Sequence, residues 1–563
     1  PAYGLTGQMF SSNPQFGFYK LNTNEVYSLT SDTITVRAYS DSSCATAASG
    51  SFTISNPSVA TTKGVATFSG VSYTWPTSGL EGSLYLQANT AKTGLSLCYG
   101  PVYIVQKFGG AKCYTASCSG PGLSGATAAN FNDRGNSVMQ DSDGKLVVLG
   151  FTHPTGMGAQ QFAQGAWRMK SNGTTDTTYV GPLVTDVAGG AGANFSDKMW
   201  EAAKDSSGRY VAGGESWTNA GAVRVAAWRL TSALAADTTF NSGTYFYTAA
   251  SNLAGGTYDQ PRAMALDSQG RVVLAGTTQN ATTTGYQWGV WRLTTSGGVV
   301  APDTNFNGAG GAHTWGIPSI GGHAVAGTAN ESALGLTIDS QDNVISVGTS
   351  KNTSGGLSAV VARHTSTGSP DSNFGTNGGV AQTTSFSGNT LAAMDDRTYG
   401  VAVDSSGRIV IAGRSKNTSN GNQAYFARYT SAGALDSSFG SGGILLMGTT
   451  GAAGATGAGN VNDNPQRLRI DSSGRIVAAG YSRDGSGFYR MTIWRLTSSG
   501  ALDTTFNSVG YVSSNLGLGA GGEYGLGMLI DQVGRIVVTG YAYSGTYSDM
   551  ALWRYWSDGT LDQ

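Results

Sequence analysis

The chain has 563 residues, with 33 Lys and Arg against 34 Asp and Glu, a formal charge of -1, and only 12% charged residues. Such a balance supplies no charge excess for holding nucleic acid or an anionic membrane, so neither is expected as the main partner. Glycine, at 84 residues, is about twice its usual share, but 39% hydrophobic and 10% aromatic residues suffice for a buried core, which argues against disorder.

Residues 1–105 are the first expected domain. The runs DTITVRAYS, SFTISN, GVATFSGVSYTW, GSLYLQAN and LCYGPVYIV alternate apolar and polar residues between turn sequences, which predicts an antiparallel β-sandwich. These runs look like the Ig-like modules of bacterial surface proteins. The opening stretch, PAYGLTGQMFSSNPQFGFYK, is aromatic without clear alternation; it packs on its own domain or extends to a neighbouring subunit as an added strand. Four cysteines, Cys44, Cys98, Cys113 and Cys118, lie within the first 118 residues, with no CxxC pair and no histidine at metal spacing. Two disulfides, Cys44–Cys98 and Cys113–Cys118, are expected, and with them an oxidising, extracytoplasmic location. No apolar run approaches the roughly 20 residues of a membrane helix. No basic-then-apolar leader begins at Pro1, so an export signal is expected to lie outside this chain or to have been removed.

From about residue 135 one pattern recurs seven times. Its first landmark is an apolar strand running into an Asp turn, with the leading residues Asp141, Asp205, Asp267, Asp339, Asp404, Asp471 and Asp531 spaced 60 to 72 apart. Its second is an aromatic or alanine residue followed by arginine: Arg168, Arg229, Arg292, Arg363, Arg428, Arg495 and Arg554. Its third is Asp-x-x-Phe/Tyr, from Asp176–Tyr179 to Asp503–Phe506. Each copy reads as four short strands rich in Val, Ile and aromatics, bounded by turns such as DSSG in which Asp caps through its side chain and Gly takes positive φ. Ring closure removes exposed sheet edges, so residues 106–563 predict an all-β, seven-bladed β-propeller. The last copy stops before its fourth strand. KFGGAKCYT, residues 107–115, has the pattern of that missing strand and is expected to close the ring on the last blade.

The repeat, for example DSSGRIVIAGRSKNTSNGNQAYFARYTSAGALDSSFGSGGI at residues 404–444, resembles the delta-60 repeat family of bacterial β-propeller-like repeats in large secreted or surface proteins. The resemblance covers about residues 107–563. It implies fold and location, and it brings no activity and no functional residues.

Chemistry is sparse. His153, His313, His323 and His364 match no metal spacing, no GxSxG elbow or phosphate loop occurs, and no cofactor is expected. Asp141-Ser142-Asp143-Gly144 lacks the remaining ligands of a calcium loop. The leading Asp and the strand Arg recur in every copy and are read as blade-structural, hydrogen-bonded to turn carbonyls or to each other. Asp395, Asp396, Asp463 and Glu331 read as unrepeated acids, but the sequence cannot bring any two to the separation that glycoside hydrolysis needs. The links between copies and the loops between second and third strands vary, whereas the other turns are tight, so recognition is expected at one end of the ring. The reading is a non-catalytic extracellular structural or adhesive protein, self-associating or meeting other surface proteins and glycans, and not an enzyme. The alternatives are a carbohydrate-binding propeller or, third, a propeller hydrolase or lyase with unrepeated acids at the channel mouth.

Overall fold

The computed structural model describes residues 132–562 apart from stretches of the connecting loops, together with the backbone of the strands within residues 3–113. The cysteine pairings Cys44–Cys98 and Cys113–Cys118 and His323 lie outside the described residues, whereas two strands of the opening stretch, Tyr3–Leu5 and Gln15–Gly17, pair with Ser96–Val105 and Val65–Thr67 of their own domain. Every described element in the chain order is a strand, and no α-helix occurs among the described residues.

Near the start, five strands pair in the order Tyr3–Leu5, Ser96–Val105, Gly82–Thr90, Thr33–Tyr39, Ser58–Ala60. Each copy of the repeat then builds an antiparallel sheet from an inner, a middle and a third strand. The inner strands are Arg134–Gln140, Asp197–Lys204, Tyr258–Leu266, Ser332–Ile338, Arg397–Val403, Asn464–Ile470 and Glu523–Ile530. Middle strands such as Leu146–Thr152 are buried along their whole length, because neighbouring sheets cover both faces. Outer strands are short, as in Ile444–Leu446 and Tyr511–Ser513. On the last sheet the outer position is taken by Lys112–Cys113, which pairs antiparallel with the third strand Ser548–Tyr555 through Lys112–Leu552 and Cys113–Ala551.

The inner strands pack each on the next in chain order, and the last packs on the first. The core therefore lies between sheets. Trp167 packs with Val537 and Met550 of the last copy, and Trp553 with Val477 and Ile493 of the sixth.

Each leading Asp closes its turn. At Asp205 the backbone N–H donates to the Arg209 carbonyl, the Arg209 N–H donates back to Oδ1 at 2.9 Å, and Arg209 Nε donates to Oδ2 at 2.7 Å. The same pairing joins Asp267 to Arg271, Asp404 to Arg408, Asp471 to Arg475 and Asp531 to Arg535, while Asp339 takes Asn343 and Asp141 the Lys145 N–H. The strand arginines meet a different acid. Arg168, Arg229, Arg292, Arg363, Arg428, Arg495 and Arg554 pair with Asp176, Asp237, Asp303, Asp371, Asp436, Asp503 and Asp562, all at 2.7 or 2.8 Å. Most also reach forward to the next sheet. Arg363 Nη1 donates to the Ser431 carbonyl and Arg428 Nη1 to that of Ser498. Each such arginine thus ties its own sheet to the tight turn of its neighbour through charge-assisted bonds.

Candidate functional site

The Asp turns and the turns after the strand arginines emerge at one end of every sheet. At the opposite, open end lie the first residues of the inner strands, the last of the middle strands and the first of the third strands, where the variable loops attach.

A buried acid stands at or just before the start of every inner strand: Asp133, Asp197, Asp259, Glu331, Asp396, Asp463 and Glu523. Each precedes its leading Asp by eight residues, so Glu331, Asp396 and Asp463 are not unrepeated acids. They hold a repeat position at which Asp and Glu interchange. The hydroxyl nineteen residues on binds this carboxylate: Thr278 donates to Asp259 at 2.5 Å, Ser415 to Asp396 at 2.5 Å, Ser350 to Glu331 at 3.2 Å, and Thr152 and Ser482 bind Asp133 and Asp463. Burial holds the carboxyls of Asp133 and Asp396 up at about 6, against the hydrogen bonds from Thr152 and Ser415 that pull them down. Asp395 differs. It is half-buried and ion-paired to Arg397 at 2.7 Å.

The open end also carries positions whose residue type changes from copy to copy. Tyr481, Tyr489 and Tyr524 pack on one another with ring centroids 4.8–5.4 Å apart, and Tyr524 stacks on Tyr541 at 4.6 Å. The Arg134 guanidinium lies 4.3 Å over Tyr541 and 5.6 Å over Phe151. Phe151 meets Trp200 edge-on at 5.8 Å, and Arg262 covers Trp200 at 4.3 Å. Arg262 and the Tyr258 hydroxyl both donate to Gln260 Oε1, and Tyr258 packs on the exposed Tyr286 at 5.2 Å. Lys198 lies 4.9 Å over Phe162 and pairs with Glu215 at 3.3 Å. The result is one continuous arc of aromatic faces and cations, half-buried for the most part, running from the sixth copy through the seventh, first and second to the third. Burial pushes the Tyr541 and Tyr258 hydroxyls up to about 12, so they serve as hydrogen-bond donors at neutral pH.

Three further unrepeated charges face one another across the middle. Glu201 Oε1 lies 3.7 Å from Arg467 Nε, although their inner strands belong to the second and sixth copies and are not neighbours in the ring. Arg469 stands two residues on, and Glu201 Oε2 accepts the Met264 N–H at 3.1 Å. Among the described residues no group of three or more His, Cys, Asp or Glu side chains could hold a metal. His364 is buried in the third strand of its copy, and His153 packs edge-on against Phe162.

Four segments, 206–240, 405–439, 472–506 and 534–563, match the model of a domain of unknown function (DUF5122) described as a β-propeller. Each match begins at or near an Asp turn, and three of the four end at the phenylalanine of the Asp-x-x-Phe landmark. These copies are β-propeller repeats. No curated protein matches the chain. Solved structures similar to it include a mutant of the Trypanosoma rangeli sialidase displaying trans-sialidase activity, at 8% identity and TM-score 0.34, over 80% of this chain and 57% of that one. They also include an ulvan lyase, at 10% identity and TM-score 0.40, over 76% of this chain and 96% of that one. The Penicillium chrysogenum α-L-arabinanase is similar at 9% identity and TM-score 0.39, over 80% of this chain and 99% of that one.

The expectation of a non-catalytic structural or adhesive protein, and with it that of a chain that is not an enzyme, is corrected: nothing in these comparisons supports it, and the similar structures they give are a sialidase, an ulvan lyase and an arabinanase, at a likeness that assigns this chain no activity. The physical reason lies in the ring. That expectation rested on low charge, Gly, Ser and Thr richness, the expected disulfides, the pairing of an Ig-like module with a propeller and the sparseness of chemistry along the chain, whereas folding gathers aromatic and charged residues from distant copies at one end and in the middle.

Proposed function

We propose that the chain is an exported, seven-bladed β-propeller of delta-60-type repeats, closed by the pairing of Lys112–Cys113 with the last sheet and preceded by an Ig-like sandwich. On this reading its open end engages an acidic polysaccharide. The observation that carries it is the aromatic and arginine arc. Tyr and Trp faces offer flat apolar surface with a polar edge, which suits the C–H face and hydroxyl rim of a sugar ring. Arg134 and Arg262, planar and permanently charged, suit the carboxylate or sulfate groups of such a chain, and their seating over aromatic faces keeps them oriented. The cysteine content and low charge support an extracellular or cell-surface setting. Cleavage of the bound chain is the second reading. It is favoured by Glu201, which follows Trp200 of the arc and brings an unrepeated carboxylate toward the middle of the ring.

The test is a binding panel of uronate-bearing, sulfated and neutral polysaccharides, with release of reducing ends followed in parallel. Retention of an acidic chain by the wild type and its loss in Arg134→Ala supports the reading. Equal indifference to every member of the panel overturns it.

A further inference from the structure

The three charges in the middle of the ring sit apart from the arc, and they are unbalanced. Arg467 and Arg469 alternate along one strand, so their side chains leave the same side. At the position of Arg469 the other copies carry Met139, Ala203, Ala265, Thr337, Ala402 and Leu529, none of them charged. At the position of Arg467 they carry small residues, Glu201 excepted. Two guanidiniums therefore share one carboxylate, and that carboxylate divides itself between Arg467 and the Met264 N–H. Among the described residues Arg469 makes one hydrogen bond, from Nη1 to its neighbour's carbonyl at Leu468, which leaves most of its five N–H groups unused. Its side chain stays open to water while protein surrounds it, as a group in a narrow wet channel does. Burial lowers its pKa, the Glu201 charge opposes that, and the like charge of Arg467 adds to it.

We infer that Arg467 and Arg469 form a site for a small free oxyanion, of the size of sulfate or a carboxylate, inside the central channel. A guanidinium offers paired donors to two oxygens of such a group, and the low-dielectric wall strengthens the contact. The position argues for a free ion over a polymer substituent, because Arg469 stands two residues from Asp471 at the tight-turn end, away from the arc. The inference does not rest on the glycan reading.

Titration calorimetry with inorganic sulfate tests it, on the full chain, at constant ionic strength against chloride. Saturable binding is expected, and Arg469→Leu, which installs the residue of the seventh copy, is expected to weaken it about tenfold or more. Glu201→Gln removes the competing carboxylate and is expected to tighten it. Arg134 offers a guanidinium to sulfate groups in the arc, so the titration is repeated in Arg134→Ala: an affinity lost there belongs to the arc and counts against the channel, whereas one lost only in Arg469→Leu supports it, and the two readings fail separately. Absence of saturable binding in the wild type overturns the inference. So does a Glu201→Gln affinity equal to or weaker than that of the wild type, an outcome that holds even if Arg469→Leu fails to fold.

Discussion

Arg554 Nε lies 2.7 Å from Asp562 Oδ2 with both side chains wholly buried, and Arg554 Nη1 donates at 2.6 Å to the carbonyl of Ser171, 383 residues earlier in the chain. This pair therefore joins the last sheet to the first. Its counterpart Arg363–Asp371 has the same 2.7 Å separation, but each side chain keeps 12% of its surface in water. Removing one partner of a buried pair strands the other charge without solvent, which costs about 3–5 kcal/mol, whereas partial exposure lets water take over. Asp562→Asn is expected to cost about 3 kcal/mol or more and Asp371→Asn about 1 kcal/mol, read as apparent midpoints in guanidinium unfolding. Equal losses would show that the seam is not special.

A second prediction concerns glycines inside strands. Gly413 faces the inner strand where its register shifts between Thr398 and Gly400, and a Cβ built there would fall on the Arg397 carbonyl oxygen. Because the obstacle is backbone in a paired sheet, it cannot swing aside as a side chain would. Gly413→Ala is expected to destabilise by about 3 kcal/mol or more. Gly270 sits in an Asp turn at φ 73° with nothing within 4 Å of its absent Cβ, so Gly270→Ala should cost only about 1 kcal/mol, as strain alone. Thermal unfolding of the two variants side by side decides the order.

The same glycine shows how far the sequence could be read. The landmarks at Asp404, Arg428 and Asp436 are visible as letters in phase, and they predict sheets and tight turns because turn chemistry is local. Gly413 is equally periodic, with Gly348 and Gly480 in the flanking copies, but its reason is a bulge on a neighbouring strand, which no single run reveals. The ring of buried acids was legible too. Asp396 and Asp463 stand 67 apart, as Asp404 and Asp471 do, but the exchange of Asp for Glu at Glu331 and Glu523 and the variable loops before them hide the position. The arc was beyond reach. Tyr524, Arg134 and Trp200 come from distant parts of the chain, and only the packing of the last inner strand on the first brings them together.

Those acids make the stability depend on pH in an unusual direction. Asp133 and Asp396 have carboxyls raised to about 6 in the fold, chiefly by burial, against 3.8 when unfolded. A group raised in this way favours the folded state below pH 4 and withdraws that support as pH climbs through 6. Acids lowered in the fold, such as Asp503 and Asp484, act oppositely, and their support is lost only as pH falls below about 4. Between pH 4.5 and 7 Asp133 and Asp396 govern together with Asp141, which burial and the neighbouring Asp143 raise to about 7, so unfolding midpoints should fall over that interval. Asp396→Asn, neutral and of the same shape, is expected to remove part of the slope, on the order of 1–3 kcal/mol. A slope unchanged in that variant would mean that Asp396 stays ionised throughout.

The arc predicts two separable losses in polysaccharide binding. Arg134 contributes charge, so Arg134→Ala should weaken binding of an acidic chain most at low salt and little at high salt, where the wild type is already screened. Tyr489 contributes a ring face beside Tyr481 and Tyr524, with its hydroxyl accepting from Asn462 Nδ2 at 2.7 Å. Tyr489→Ala should weaken binding about fivefold to tenfold at every salt concentration, because stacking on an apolar face does not depend on counterions. Tyr489→Phe keeps the ring and should bind nearly as the wild type does. Affinity electrophoresis of the three variants across a salt series reads both effects. If Tyr489→Ala shows the same salt dependence as Arg134→Ala, the tyrosines act only by seating the arginine, and the arc is a charge patch without a stacking surface.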